Sequence, residues 1–385
     1  MSIYFISVIL IVLYPLMHKR INETIRRRRK FLIYAFGILV LFAVLRSPQV
    51  GRDLAGHYAK NYEVIANMSW SGLADFSNYS GYEIGFVYFC KLISYISHDV
   101  QWFIAFTSIV IYGITARFIY KHSEDVVMST LLFIFSCSYY MYLTMIRQAL
   151  AVCIVLIAYD VLVSDKKKAH KYMLFIVLVL FASLFHQSAV LCLAFILFDI
   201  LNFKRAHIIL AVVITVGLYS LYDKVYLFVL SFMGNTERYL AHIASETEGV
   251  GGLDWITLLN IILTFGAFVL GYYCLVFKNK KSQNRVNINN ETLEIVQHSS
   301  ILLYLSLMAG VFRLLVVRMN ILNRVTFYFL PFIFILYPMA VGKSGKYRQI
   351  IKLGVYFMYF LYFTYMTLEL AGSYYGVVPY EFFWK

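Results

Sequence analysis

Long apolar runs separated by short basic clusters dominate the hydropathy pattern of this chain. Runs at 2–17 and 31–45 flank a segment, Lys19 to Lys30, that holds seven basic residues including Arg26-Arg27-Arg28-Arg29. Further runs lie at 101–120, 126–163, 172–200, 206–222, 255–277, 299–317, 321–341 and 350–370. This pattern predicts helices that enter a hydrocarbon core of about 30 Å, because a helix satisfies its own backbone hydrogen bonds in lipid. A shorter apolar segment, from Gly81 to about Ser97 with Lys91 inside it, predicts an interfacial or re-entrant helix.

Two stretches need a reversal. As one helix, 126–163 would be roughly 57 Å long at ~1.5 Å per residue, nearly twice the core thickness. It must fold back, and its one polar segment, Ser138 to Gln148, puts Arg147 and Gln148 near the tip. The run 172–200 separates Lys166-Lys167-Lys168 from Lys204-Arg205. Basic clusters favour the cytoplasmic side. A hairpin turning at His186-Gln187-Ser188 keeps both clusters there, whereas one tilted helix would send 278–285 and 343–348 outside. The hairpin is the expected form, with limbs of ~15 residues that stop short of a full crossing.

The expected fold is all-α: a polytopic transmembrane helical bundle of about twelve spans plus re-entrant or interfacial helices. It forms one membrane domain over 1–385, with outer loops at about 46–82 and 223–254. Composition agrees, since 61% apolar and 14% charged residues do not suit a soluble domain. The net charge of +14 is accounted for by basic cytoplasmic loops, so no nucleic-acid partner is expected. Residues 2–17 have no basic segment before them and no small-residue cleavage site after them, and read as a first span. Cys90, Cys137, Cys153, Cys192 and Cys274 lie in apolar runs without C-x-x-C spacing, so neither disulfides nor a metal site is expected.

The informative charges lie on the outer side. Arg46, Arg52, Arg147, Arg238, Arg313, Arg318 and Arg324 fall there or within spans, and Arg313 lies inside an apolar run. A guanidinium at mid-helix costs at least ~2.5 kcal/mol. Such residues snorkel to the interface, pair with Asp53, Glu83 or Glu237, or bind an anionic substrate. For the group, the anion site is preferred, because guanidinium contacts phosphate bidentately and keeps its charge in a poor solvent. Arg147 gains further from its place near a helix start. His186, at a buried polar turn, is either a hydrogen-bonded structural residue or a proton acceptor. Asp53 and Glu83 either act as a base or neutralise Arg46 or Arg52. Tyr58, Tyr62, Tyr79 and Tyr82 offer rings for stacking on sugars or belong to an interfacial belt, and Tyr374, Tyr375 and Trp384 read as interfacial anchors. H-E-x-x-H, G-x-S-x-G, P-loop and D-x-D patterns are missing, and no metal or cofactor is expected.

Several short pieces occur in a telling order. They are Arg46 with Gly51, Asp53 and Tyr58; Tyr82-Glu83-Ile84-Gly85-Phe86; Arg147-Gln148-Ala149-Leu150-Ala151; Phe185-His186-Gln187-Ser188-Ala189; Arg238-Tyr239; and Arg324 leading into Tyr328-Phe329. In these the chain resembles the EpsG family of exopolysaccharide-synthesis membrane proteins, related in role to Wzy-type O-antigen and capsule polymerases. The resemblance implies a GT-C-like membrane glycosyltransferase of the bacterial cytoplasmic membrane, with its active site facing the periplasm or cell exterior. The implied substrate is an undecaprenyl-pyrophosphate-linked oligosaccharide, with no nucleotide or metal demanded. In that scheme His186 or Asp53 takes the acceptor's proton, and Arg147 stabilises the leaving diphosphate. Arg46, Arg52, Arg238, Arg313, Arg318 and Arg324, with Tyr58 and Glu83, bind substrate. A chain-length regulator and a flippase are the implied protein partners. A flippase for the same lipid-linked oligosaccharide, or a ligase moving glycan to another acceptor, stays open as an alternative. Relatives commonly carry a larger late outer loop, so the modest 223–254 leaves acceptor recognition open.

Overall fold

The computed structural model describes residues 2–221, 255–277, 290–318 and 322–384. Among them every regular element is a helix, and the one strand-like pairing is an isolated bridge between Arg46 and Phe382. The chain forms two compact units, residues 1–196 with 337–385, and residues 197–336. In order, the helices of the first part are α1 (Ser2–Met17), α2 (Ile25–Val44), α3 (Ala59–Asn67), α4 (Leu73–Ser80), α5 (Ile84–Ser94), α6 (Val100–His122), α7 (Val126–Phe135), α8 (Ser138–Thr144), α9 (Ile146–Leu162) and α10 (Lys168–Ser183). There follow α11 (Phe195–Ile200), α12 (Arg205–Ser220), α13 (Trp255–Tyr272), α14 (Asn290–Val316), α15 (Leu322–Thr326), α16 (Leu330–Gly342) and α17 (Arg348–Tyr365).

Among the described residues four helical stretches are long and apolar enough to cross a membrane: Val100–His122, Trp255–Val276, Ser299–Val316 and Gly345–Leu370. The pair α7 and α8, bent by 59°, makes a fifth if counted as one span. Other apolar helices, among them α1, α5 and α12, have 10–17 residues. The figure of about twelve in the sequence reading counts those shorter runs as well. Helix α17 turns Ile350, Leu353, Phe357 and Leu361 outward, Ile350 with 71% of its surface open, while Tyr359, Tyr362 and Phe363 face inward. An apolar exterior over a partly polar interior is the reverse of a soluble helix, and marks a membrane protein.

The first unit has two chemically distinct ends. At one, Asp160 near the close of α9 takes up Arg117 Nη1 (2.5 Å), Lys121 Nζ (3.3 Å) and His122 Nε2 (2.5 Å) from the last turns of α6. Beside it, Asp125 caps α7 by accepting from Met128 N (3.1 Å), and also accepts from Asn22 Nδ2 (2.8 Å) and Lys352 Nζ (2.5 Å). Arg28 donates to the carbonyls of Tyr120 (3.0 Å) and Ser123 (2.5 Å), so one member of the arginine run fastens α2 to the same end. At the other end, Gln101 at the start of α6 donates to the carbonyls of Val44 and Arg46.

The stretch 126–163 folds back, as its length requires. It leaves the Asp125 end as the bent α7–α8, reverses at Met145 (φ −93°, ψ 63°), and returns as α9 to Asp160. The run 172–200 also reverses: α10 ends at Ser183, and a 3-10 helix, Gln187–Ala194, runs back along it. The rings of Phe175 and Phe195, equidistant in sequence from residue 185, lie 6.4 Å apart. Helix α5 starts beside α9's first turn and ends next to the start of α6, so it lies across this end of the unit, in keeping with an interfacial element.

Residues 375–383 clasp the loop that follows α2. Ser47 N donates to Glu381 O (2.8 Å), Phe383 N to Leu45 O (3.1 Å), Gly51 N to Gly376 O (2.8 Å) and Arg52 N to Tyr375 O (2.8 Å). Gly51 (φ +118°) and Gly376 (φ +64°) are required here, since a Cβ would stand 2.8 Å from Leu143 O in the first case and 2.8 Å from Arg52 N in the second. Tyr375 is buried in this clasp and is no interfacial anchor, whereas Tyr374 and Trp384 are exposed.

In the second unit, α13 and α14 pack through Phe268, Leu303, Leu307, Val311 and Leu315. Gly310 lets the Phe265 ring approach to where a Cβ would be 2.8 Å away. Tyr304 OH and His207 Nδ1, 2.6 Å apart, tie α14 to α12.

Candidate functional site

Glu83 precedes α5 with extended backbone (φ −63°, ψ 139°) but does not cap its own helix. Its carboxylate reaches across to two other elements. Oε2 accepts from Arg147 Nη1 (2.5 Å), in the first turn of α9. Oε1 lies 3.2 Å from His186 Nδ1 and accepts from Gln187 N (3.0 Å), at the start of the returning 3-10 helix. One side chain thus holds the tips of both hairpins. Burial pushes the Glu83 carboxyl up, but the hydrogen bond from His186, the charge of Arg147 and the Gln187 N–H outweigh it and hold it at about 2. Glu83 is therefore ionised at neutral pH and can only accept. The shared proton then belongs on His186 Nδ1, which leaves Nε2 as the acceptor nitrogen.

Arg147 is bound on three sides. Nε donates to Tyr58 OH (3.3 Å), Nη1 also approaches Gly81 O (3.4 Å), and the guanidinium lies 4.4 Å over the Tyr82 ring. A π-helical turn, Leu54–Tyr58, leads into α3 and sets Tyr58 against Arg147; such turns are frequent at functional sites. Asn61 Nδ2 donates to Tyr82 OH (2.8 Å) and fixes that ring. Below, Tyr58, Tyr82 and Phe86 pack with centroids 5.6–5.7 Å apart. Arg147 Nη2 and His186 Nε2 take no partner among the described residues, and their side chains keep 18% and 15% of their surface open. A fixed cation and an imidazole acceptor therefore stand on the two sides of one carboxylate. Among the described residues no group of three His, Cys, Asp or Glu side chains is arranged to hold a metal ion.

The sequence model of the EpsG family matches residues 29–382. The chain belongs to the EpsG family. No curated protein and no solved structure matches it.

Within this EpsG-family protein the expected site residues fall in both units. Arg147, His186, Glu83 and Tyr58 come together. Asp53 stands at the start of the turn that carries Tyr58, and Arg52 beside it is exposed, its backbone N–H bound to Tyr375 O and Thr144 Oγ1. Arg46 has only 1% of its surface open, and the polar groups it faces are the neutral hydroxyls of Tyr4, Tyr112, Tyr139 and Tyr380. Each of those hydroxyls donates to a backbone carbonyl, which leaves its oxygen lone pairs for the cation. Arg313, Arg318 and Arg324 belong to the second unit. There Arg313 donates to Asn323 Oδ1, Arg318 is exposed over the Tyr219 ring (5.0 Å), and Arg324 is exposed on α15. Arg238 lies outside the described residues. Glu83 neutralises Arg147, not Arg46 or Arg52. Tyr58, Tyr62 and Tyr82 are buried, so their rings support Arg147 and the core, and Tyr79 alone of the four is exposed.

Sequence reasoning missed Asn61, the Gln187 N–H and the role of Tyr82 as the ring under Arg147. Tyr82 carried a signal in its place beside Glu83; the other two carried none. Gly85 shows why the hairpin tips can meet. A Cβ there would lie 2.6 Å from Leu184 Cβ and 2.7 Å from Leu184 O, just ahead of His186. Phe86 N donates to that same carbonyl (3.2 Å). Gly85→Ala should therefore push the His186 turn away and lower stability by about 1–3 kcal/mol, read as a drop in melting temperature with loss of activity. An unchanged melting curve would show that the turn can shift freely.

The charge on Glu83 carries a pH signature. Because its folded value is depressed, its stabilisation is complete above the ordinary carboxyl range near 4.5 and fades as pH falls toward about 2. The melting difference between wild type and Glu83→Gln should be on the order of 3 kcal/mol at pH 6 and shrink steadily below pH 4.5. A difference independent of pH from 6 to 2.5 would contradict this.

Proposed function

We propose that this EpsG-family protein is a polysaccharide polymerase. It transfers a growing glycan from undecaprenyl pyrophosphate to a lipid-linked repeat unit on the outer face of the bacterial cytoplasmic membrane. The single observation that carries the reading is Glu83 holding both Arg147 and His186, each with one nitrogen that takes no partner among the described residues. The basic clusters support the orientation: Arg28, Arg117, Lys121 and Lys352 gather at the Asp125 end, which the positive-inside tendency assigns to the cytoplasm. The Glu83 end then faces outward. The shorter apolar helices complete about twelve spans in a GT-C-like arrangement under this reading.

The chemistry follows from the two nitrogens. A sugar hydroxyl of the incoming unit attacks the anomeric carbon of the growing chain. The bond from that carbon to the diphosphate oxygen breaks, and the electron pair leaves with undecaprenyl diphosphate. Arg147 Nη2 meets the developing negative charge, worth most where water is excluded. His186 Nε2 takes the hydroxyl proton, while Glu83 stabilises the imidazolium through Nδ1–H. Asp53 is the second candidate for the base. The outer arginines of the unit, Arg52 foremost, contribute further charge to the diphosphate.

The test is a reconstitution. Purified protein in nanodiscs, given lipid-linked repeat units, should lengthen them and release undecaprenyl diphosphate in step. Translocation of the units without elongation would replace the polymerase with a flippase, and capping of a foreign acceptor would replace it with a ligase.

A further inference from the structure

Helix α5 carries a second feature besides the Glu83 that precedes it. Its outward face shows Tyr88 and Leu92, and the turn after it adds Tyr95 and Ile96, with Leu92 58% and Ile96 60% open. The stripe begins five residues after Glu83 and covers positions 88–96, about 12 Å. Trp70 walls one side, its ring 5.8 Å from Tyr88 and 6.3 Å from Tyr95. Trp70 Nε1 donates to Tyr95 OH (2.7 Å), so the two polar atoms satisfy each other and leave ring faces. Opposite, Phe89 packs against Phe106 (5.9 Å) and Phe185 (5.7 Å), next to the His186 turn. Lys91, the one cation of this helix, is turned inward to Ala66 O (2.9 Å). The result is an apolar trough with aromatic walls, whose near end adjoins the His186 turn through Phe89 and Phe185.

We infer that this trough holds the head-proximal part of a polyprenyl tail, so that the attached diphosphate is delivered to Arg147. The inference rests on the lipid-linked substrate of the polymerase reading and adds where that lipid lies. Continuity decides the occupant: the trough ends beside the His186 turn, where Arg147 Nη2 and His186 Nε2 take no partner among the described residues, so its ligand joins an apolar chain to an anionic head. A stripe facing bulk acyl chains needs no such junction. The aromatic walls suit a branched, unsaturated chain, which offers methyl groups to ring faces.

The experiment is photolabelling, which needs no turnover. The probe is a polyprenyl diphosphate with a benzophenone beside the first prenyl units, added to the full protein in nanodiscs. Label should fall within residues 84–97. Leu92→Ser with Ile96→Ser, both at exposed positions, should reduce it about tenfold, and Trp70→Ala should reduce it as well. Unlabelled polyprenyl diphosphate should compete, and phosphatidylglycerol in the same excess should not. Equal competition by phosphatidylglycerol would make the trough a bulk-lipid face. Label elsewhere, or label unmoved by the double variant, would also overturn the assignment. Intact labelling without chain elongation would sink the polymerase reading alone.

Discussion

Arg147→Ala is expected to slow chain elongation by about 10²–10³-fold, mostly in kcat. The argument is one of placement. Tyr58, Tyr82 and Glu83 hold the guanidinium by its Nε, its face and its Nη1, and leave Nη2 directed elsewhere. A donor fixed before the reaction begins costs no reorganisation when charge develops on the leaving diphosphate. Arg147→Lys should recover little, because an ammonium cannot bond Tyr58 and Glu83 and still present a third donor in a fixed plane. Removing the cation also leaves Glu83 partly buried with less compensation, so a moderate fall in melting temperature should accompany the loss. The measurement is polymer length and rate in nanodiscs, with the melting curve as control. Normal long chains from the alanine variant would dismiss the site.

His186→Ala should be as damaging, about 10²–10⁴-fold, if the imidazole moves the acceptor proton. A purely structural histidine would act differently. Its loss would be repaired by Gln or Asn variants that restore the hydrogen bond to Glu83, whereas a lost base is not restored by an amide. Added imidazole should return part of the rate to His186→Ala and none to Arg147→Ala. Should Asp53→Asn abolish turnover while His186→Ala keeps it, the base is Asp53 and the imidazole only braces Glu83.

Both reversals in the fold were legible from elementary lengths and charges. A run of apolar residues nearly twice the membrane thickness must turn, and flanking lysines required His186 to be a tip. What the sequence could not show is that the two tips touch. Glu83 lies 64 positions from Arg147 and 103 from His186, and no local pattern reports a contact of that range. The arginines illustrate the same limit. Arg46 and Arg147 both follow apolar runs closely, yet Arg46 is enclosed by tyrosines from scattered elements, while Arg147 stays partly open beside a carboxylate. Tyr375 read as an anchor from its composition alone; a backbone clasp, invisible to hydropathy, buries it.

That clasp also bears on how the protein matures. The bond from Tyr380 to Phe42 joins positions 338 apart. The loop after α2 is therefore left unsealed throughout insertion of nearly every helix, with the loop-closure cost met only at the finish. A half-inserted chain would lack this clasp, so the turn that carries Tyr58 to Arg147 is locked only once α17 and the segment after it are in place.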